Sequence, residues 1–469
     1  MVLDQAAPQR LPVALKAGWA VGAVGHVSML IVTNTMLLFF LVSQLGIAPA
    51  TAGLVLAASR FYDMFADVLM GHISDRTQSR WGRRRPWMAI GAIGSGIGCI
   101  LAFAVPDWPP GPELLAYCVF AQIVYFTSYT IFTVPFMAMP AEMTEDTNER
   151  TSIMSYRTFF SGVAGLVGMS LAPTLVKYLG GGREAYGEMG VVIAVIVSGT
   201  MLLSVVLTGR ARFTARTETR TEWRGWARTV LTNRPFAMLF LIKLFGITGI
   251  ACSAAVGLFF QGYITGRAEQ GQAILGLIQH LVTMGSIPLW LWFSRRYDKR
   301  AGLFLAGVLY ASATLSWLAA GPGESDAVFV FRAIILGLGY AGFVLMTLSM
   351  LPDTMAYDTH RTRLRREGIY AGLFAFVEKA TFIVAPLIVG TVLGAYGFVQ
   401  SRGAFVEQTA EGLWGVKLCM AIIPALLTIS FLPFIWFYEL SQARMAEMTR
   451  ARLSASGLNA SGLNASEKT

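Results

Sequence analysis

Charge is scarce in this chain. Only 14% of its 469 residues are Asp, Glu, Lys or Arg, against 55% hydrophobic residues, and the mean hydropathy is +0.57. That balance excludes an ordinary water-soluble domain of this size. Cysteine is sparse as well. Cys99, Cys118, Cys252 and Cys419 all fall inside apolar runs without ligand-like spacing, so no disulfide framework is expected. Catalytic signatures are missing: there is no metalloprotease helix, P-loop or serine elbow. The run Gly94-Ser-Gly96-Ile-Gly98 lies inside an apolar segment with no strand before it, which excludes a phosphate loop. Neither an enzyme nor a bound cofactor is expected. A cleavable leader is not expected either, because a short polar lead, Met1 to Lys16, runs straight into a full-length apolar run.

Long apolar runs are what the sequence has. Twelve of about 20 residues recur, near 17–42, 50–73, 87–105, 113–138, 157–178, 189–209, 235–261, 272–294, 301–320, 327–351, 369–394 and 412–438. Each is long enough to cross a bilayer as a helix, so the fold class is all-α integral membrane with twelve transmembrane helices. The third run holds Gly91, Gly94, Ser95 and Gly98, a spacing that permits close helix packing. The runs at 113–138 and 235–261 are long enough to tilt or break.

The formal charge of +10 reports topology and does not point to nucleic acid. Basic residues gather in alternate loops: Arg76 to Arg85 after the second run, and Arg210 to Arg228 after the sixth. Arg295, Arg296, Lys299 and Arg300 follow the eighth, with Arg361, Arg363, Arg365 and Arg366 after the tenth. The opposite loops offer little beyond Lys177, Arg183, Arg267 and Arg402. This asymmetry places both termini in the cytoplasm, in a plasma (inner) membrane. The expected organisation is a six-helix bundle over 1–209, a cytoplasmic loop over 210–234, a second six-helix bundle over 235–438, and a polar tail over 439–469. The tail ends in a tandem Ser-Gly-Leu-Asn-Ala repeat from Ser456 and reads as disordered. Its two Asn-Ala-Ser triplets resemble glycosylation acceptors that a cytoplasmic location would leave unused.

The two halves echo each other. Pro140-Ala-Glu-Met-Thr-Glu-Asp146-Thr after the fourth run matches Pro352-Asp-Thr-Met-Ala-Tyr-Asp358-Thr after the tenth. The same offset relates Arg83-Arg84 to Arg295-Arg296. Six plus six with related halves resembles the layout of the major facilitator superfamily, whose halves rock about a midplane site.

The chemistry sits where charge is most costly. Arg60, Asp63 and Asp67 lie near the middle of the second run, and spacings of three and seven put them on one helical face. An ionised group at that depth costs at least about 2.5–3.5 kcal/mol, so it marks an ion or substrate pathway. Two carboxylates four apart can share one hard cation, and repulsion in the empty pair lets a proton substitute. The plainer alternative is a structural ion-pair network with Arg60 and Lys379. Lys379, deep in the eleventh run beside Glu378, needs a carboxylate partner. It either competes with a coupling cation or pins the halves together. Glu378 is a second protonatable group or lines water. His26 and Asn34 in the first run fit substrate contacts or interhelical hydrogen bonds equally well. Lys243 is close enough to its helix end to snorkel out, and Gln279 and His280 read mainly as packing. Asp75, Arg76, Arg83 and Arg84 close the second run and open the third; they lock helix ends or only set topology.

The stretch Arg60-Phe-Tyr-Asp63-Met-Phe-Ala-Asp67, followed by Gly71, Ser79-Arg80-Trp81-Gly82 and Pro86-Trp87, resembles the glycoside–pentoside–hexuronide:cation symporter family, of which the melibiose permease is the best-known member. Pro135-Phe136, Glu149-Arg150, Asp353-Thr354, Tyr357, Lys379 and Leu393-Gly394 extend the likeness from about Lys16 to Phe437. The resemblance implies a cation site of Asp63, Asp67 and Thr130, with Lys379 and Arg60 coupling it to the solute, and gating by Asp75, Arg76, Arg83 and Arg84. The sugar site departs from the family. Val27, Thr133 and Met137 stand where two carboxylates and a tryptophan are expected, leaving His26, Thr133, Met137, Arg157 and Glu378 as substrate candidates. The expected protein is a monomeric symporter of a sugar, glycoside or related solute, driven by Na+ or H+, with membrane lipid around it. A lysolipid-like amphiphile is the alternative substrate, and a non-transporting membrane sensor the alternative class.

Overall fold

A computed structural model describes residues 11–144, 146–210, 232–362, 366–403, 406–440, 444, 447 and 448. The segments 211–231 and 449–469, with the middle-loop arginines and both Asn-Ala-Ser triplets, lie outside the described residues, as do Arg363 and Arg365. All regular structure among the described residues is helical. Eleven helices are long and apolar enough to span a bilayer: α1 (Val13–Leu37), α3 (Arg85–Phe103), α4 (Pro112–Met143), α5 (Glu149–Tyr178), α6 (Gly182–Leu207), α7 (Arg234–Tyr263), α8 (Ala268–Tyr297), α9 (Lys299–Ala319), α10 (Asp326–Thr362), α11 (Glu367–Ala395) and α12 (Ala410–Trp436). The remaining long helix is α2 (Pro49–Arg76), with 28 residues. At 1.5 Å per residue it exceeds the roughly 30 Å of hydrocarbon. It fails the apolar criterion because it carries Arg60, Asp63, Asp67, Asp75 and Arg76. The charges that make it a candidate site also hide it from a hydropathy count.

Helix starts follow local chemistry. Pro49, Pro86, Pro112 and Pro235 occupy first turns, where a missing N–H costs nothing. Asn233 caps α7 by accepting from Phe236 N at 3.1 Å. The long runs expected to tilt or break, in α4 and α7, form single helices. Several helices outrun their apolar windows. α5 begins at Glu149 and not near 157, and α10 continues to Thr362, past 351. These extra turns are held by polar ties, such as Lys16 to Glu149 at 2.8 Å and Lys299 to Asp353 at 2.6 Å.

Small residues bring α3 against α4, as their spacing leads one to expect. A methyl added at Gly91 would lie 2.4 Å from Phe132 N, and one at Gly98 2.8 Å from Tyr125 Cα. The helices before and after the 211–231 segment meet at the end opposite the basic loops. Ser401 N donates to Val42 O (3.1 Å) and Gly403 N to Ser43 O (3.0 Å). Arg402 Nη2 reaches Asp107 Oδ1 at 3.1 Å and Trp108 O at 3.0 Å, and Arg183 pairs with the same aspartate. Between α2 and α11, an added methyl on Gly53 would sit 2.5 Å from Pro386 O, and one on Gly390 2.4 Å from Pro49 O. At the basic end the ties named here stay within each half: Arg83 and Arg84 to Glu142, and Lys299 to Asp353.

Candidate cation and solute site

Arg60, Asp63 and Asp67 of α2 face α4 and α11 at mid-height. Thr130 on α4 donates toward Asp63 Oδ1 at 2.5 Å and Asp67 Oδ1 at 2.9 Å. Lys379 on α11 lies 3.2 Å from Asp63 Oδ2 and pairs with Asp67 Oδ2. Four carboxylate oxygens and one hydroxyl therefore converge, all from the first half, and an ammonium from the second half occupies them. A hydroxyl owns one proton and can satisfy only one of its two acidic neighbours at a time. The other contact is built for a proton on a carboxyl or for a cation. Asp63 is 3% exposed, whereas the side chains of Asp67 and Lys379 are 26% and 35% exposed. The site is closed on the Asp63 side and reachable past Asp67.

Arg60 completes the charge balance one turn away. Its guanidinium is buried, lies 4.3 Å from the Phe126 ring centroid and 5.7 Å from that of Phe382, and donates from Nη2 to Asn34 Oδ1 at 3.0 Å. Aromatic faces stabilise a desolvated guanidinium by about 2 kcal/mol. Two carboxylates against Lys379 and Arg60 leave the cluster neutral.

The sugar-site candidates come from α1, α4, α5 and α11, with Arg157 near enough to His26 and Glu378 to interact electrostatically with both. His26 is buried, with Nδ1 3.0 Å from Gly22 O and its ring 5.0 Å from that of Phe136. Met137 is exposed and Thr133 half-buried on α4. Arg157 is half-buried on α5 with Nε unpaired. Glu378 pairs with Lys243 at 2.8 Å. That pair corrects the expectation that Lys243 snorkels outward: its ammonium is buried, 2.8 Å from Phe374 O and 3.3 Å from the Phe374 ring centroid. A carboxylate on the neighbouring helix offers it more than a stretched route to water.

A cavity of about 140 Å³ does lie between the halves. It is lined from α1 by Asn34 and Thr35 and from α8 by Gln272, Gln279 and His280. Sequence reasoning gave these α8 residues little weight or none, because uncharged polar groups in a span carry little energetic signal.

At the basic end, Asp75 pairs with Arg84, whose Nε also lies 2.9 Å from Glu142 Oε1. Arg83 reaches the same oxygen at 2.8 Å, and Arg76 is exposed. Glu142 is 2% exposed and was missed from sequence. Its signal was its place in the repeated Pro-containing segment, where an acid follows the fourth span.

Comparison with known proteins agrees with this architecture. The chain matches the family described as MFS/sugar transport protein over residues 18–442. It is 29% identical to the uncharacterized symporter YnaJ of Bacillus subtilis, over 94% of this chain and 95% of that protein. It is 25% identical to the putative glycoside/cation symporter YagG of Escherichia coli, over 93% and 94%. The mouse sodium-dependent lysophosphatidylcholine symporter 1 is 24% identical, over 94% and 88%. Among solved structures, a bacterial homologue of the human drug peptide transporters superposes with a TM-score of 0.63 at 12% identity, over 93% of this chain and 99% of that one, a likeness of fold alone. The expected fold class and symporter resemblance hold, and this chain belongs to the MFS/sugar transport protein family of membrane transporters.

Proposed function

We propose that the protein is a cation-coupled symporter that moves a sugar, glycoside or related small solute by alternating access. In this reading it sits in the plasma membrane as a monomer with both termini cytoplasmic, and the bundles 1–209 and 235–438 rock against each other. The observation that carries the reading is the convergence of Asp63, Asp67 and Thr130 on Lys379. The oxygens belong to one half and the ammonium to the other. Hard monovalent cations favour oxygen ligands, by the logic that gives calcium and magnesium oxygen shells. With the cluster neutral, a metal cation can enter only if the ammonium yields its place, and a proton enters by neutralising a carboxylate that the ammonium then releases. Cation occupancy thus alters a tie between the halves, which is what coupling requires. Sodium uses all three oxygen-bearing side chains; a proton would sit on Asp67, the more accessible carboxylate.

An amphiphile is the second substrate reading. It is favoured by the name of the mouse relative, a lysophosphatidylcholine symporter, and by the absence of sugar-binding acids at Val27 and Thr133. The test is the melting temperature of purified protein with sugars, glycosides and lysolipids, in sodium and in choline buffer, because a ligand that binds the native state raises apparent stability. A glycoside that stabilises only in sodium supports sodium symport. Stabilisation that follows pH but not sodium supports the proton. A lysolipid response favours the amphiphile, and a silent panel revives the sensor reading.

A further inference from the structure

The cavity between the halves has a relation to the cation cluster that neither sequence motif nor family resemblance indicates. The offset that maps Arg83-Arg84 onto Arg295-Arg296 and Pro140 onto Pro352 also maps Arg60, Asp63 and Asp67 onto Gln272, Leu275 and Gln279. All three of those α8 residues line the cavity. The repeat thus places the cavity at the counterpart of the cation site, with every charge replaced by an amide or an apolar group. No Asp, Glu, Lys or Arg is among its described lining residues.

Gln272 is 1% exposed, and its Oε1 has no hydrogen-bond partner. A buried acceptor left unmade is a standing penalty that a donor on a ligand removes. Gly257 on α7 packs directly against this amide: an added methyl there would lie 2.7 Å from Gln272 Oε1. On the α1 side, Asn34 Oδ1 already accepts from Arg60, so its amide N–H groups are left to donate. Asn34 and Phe382 both line the cavity and both touch the Arg60 guanidinium. The volume, about 140 Å³, is well below the roughly 300–1,000 Å³ of drug-sized sites. It suits a solute of about one ring.

We propose that this cavity is a solute subsite for an uncharged, hydroxyl-bearing ring, with Gln272 accepting from a solute hydroxyl and Asn34 joining the subsite to the cation cluster through Arg60. The proposal rests on the symporter reading and narrows its substrate to neutral glycosides. Carboxylated sugars are disfavoured because nothing among the lining residues compensates their charge.

The test is binding of methyl β-glucoside, methyl β-galactoside and methyl β-xyloside, each compared with methyl β-glucuronide, by calorimetry in sodium and in choline. The wild-type protein is expected to bind at least one neutral glycoside at least about 100-fold more tightly than the glucuronide. Gln272→Leu should weaken that glycoside at least tenfold while its sodium titration stays within twofold, which also shows that the variant is folded. Gly257→Val should act likewise by filling the space. Asn34→Ala is a positioning change: it should retain glycoside binding in sodium but lose the difference between sodium and choline. Equal binding of the glucuronide overturns the proposal, as does glycoside binding that survives Gln272→Leu and Gly257→Val but falls with Arg157→Ala. Those results leave sugar symport standing. Silence toward every sugar overturns the sugar reading and this subsite together.

Discussion

Replacing Lys379 with methionine removes one positive charge at nearly constant volume, and it is expected to tighten sodium binding while abolishing coupled uptake. The ammonium holds the carboxylate oxygens that a metal ion would seek under the proposed coupling. A unit pair at about 4 Å is worth about 4 kcal/mol at an effective dielectric of 20. The side chains of Lys379 and Asp67 are 35% and 26% exposed, so solvent screens much of this, and fully exposed pairs fall to about 0–1 kcal/mol. An intermediate value of about 1.5–2 kcal/mol corresponds to a roughly 10- to 30-fold gain in sodium affinity. The assay is a sodium titration at constant ionic strength with choline, read by melting temperature, beside solute accumulation in proteoliposomes. Sodium affinity that is unchanged or weaker in Lys379→Met would refute competition and leave Lys379 as a static brace.

Three further outcomes follow from the packing. Glu142→Ala leaves Arg83 and Arg84 without their shared acceptor; at the lower end of the buried-pair penalty, about 3 kcal/mol, the melting temperature of a chain this long should fall by roughly 3 °C, and an unchanged value would show the cluster to be ornamental. Gly53→Val drives side-chain atoms into Pro386 O and should open the end that carries Asp107 and Arg402. Spin labels on cysteines at the exposed positions Glu113 and Glu407 should then move apart, which the four buried native cysteines would not confuse. Glu378→Gln strands the buried Lys243 and should lower thermal stability by more than the double variant Lys243→Met, Glu378→Gln, as a double-mutant cycle on one pair requires.

Much of the fold was legible in the sequence because the bilayer imposes a blunt rule. Apolar runs long enough to span are rare by accident, and the basic loops divide them into two sets. The convergence of charged side chains was legible for the complementary reason: Asp63, Asp67 and Lys379 are costly in hydrocarbon and need one another as partners. What escaped lay where that cost is absent. Gln272 and Gln279 carry no charge, so nothing in their surroundings demanded a role. The partners of Glu142 and Glu378 depended on which helices pack side by side, which α2, α4, α7 and α11 settle only in three dimensions. Helix ends were underestimated at the start of α5 and the end of α10 because those turns are polar and lie beyond any apolar window. The α2 helix shows the opposite case: its charges reveal the site while lowering its score as a span.

The decisive measurement is accumulation of a radiolabelled glycoside, chosen by its sodium-dependent stabilisation of the protein, in proteoliposomes under an imposed inward sodium gradient. It would compare the wild-type protein with Asp63→Asn, a change of one buried charge at constant shape. The wild-type protein should concentrate solute above the external level and Asp63→Asn should at most equilibrate it. An Asp63→Asn protein that still concentrates solute would contradict the assignment of the α2 carboxylates as the coupling site.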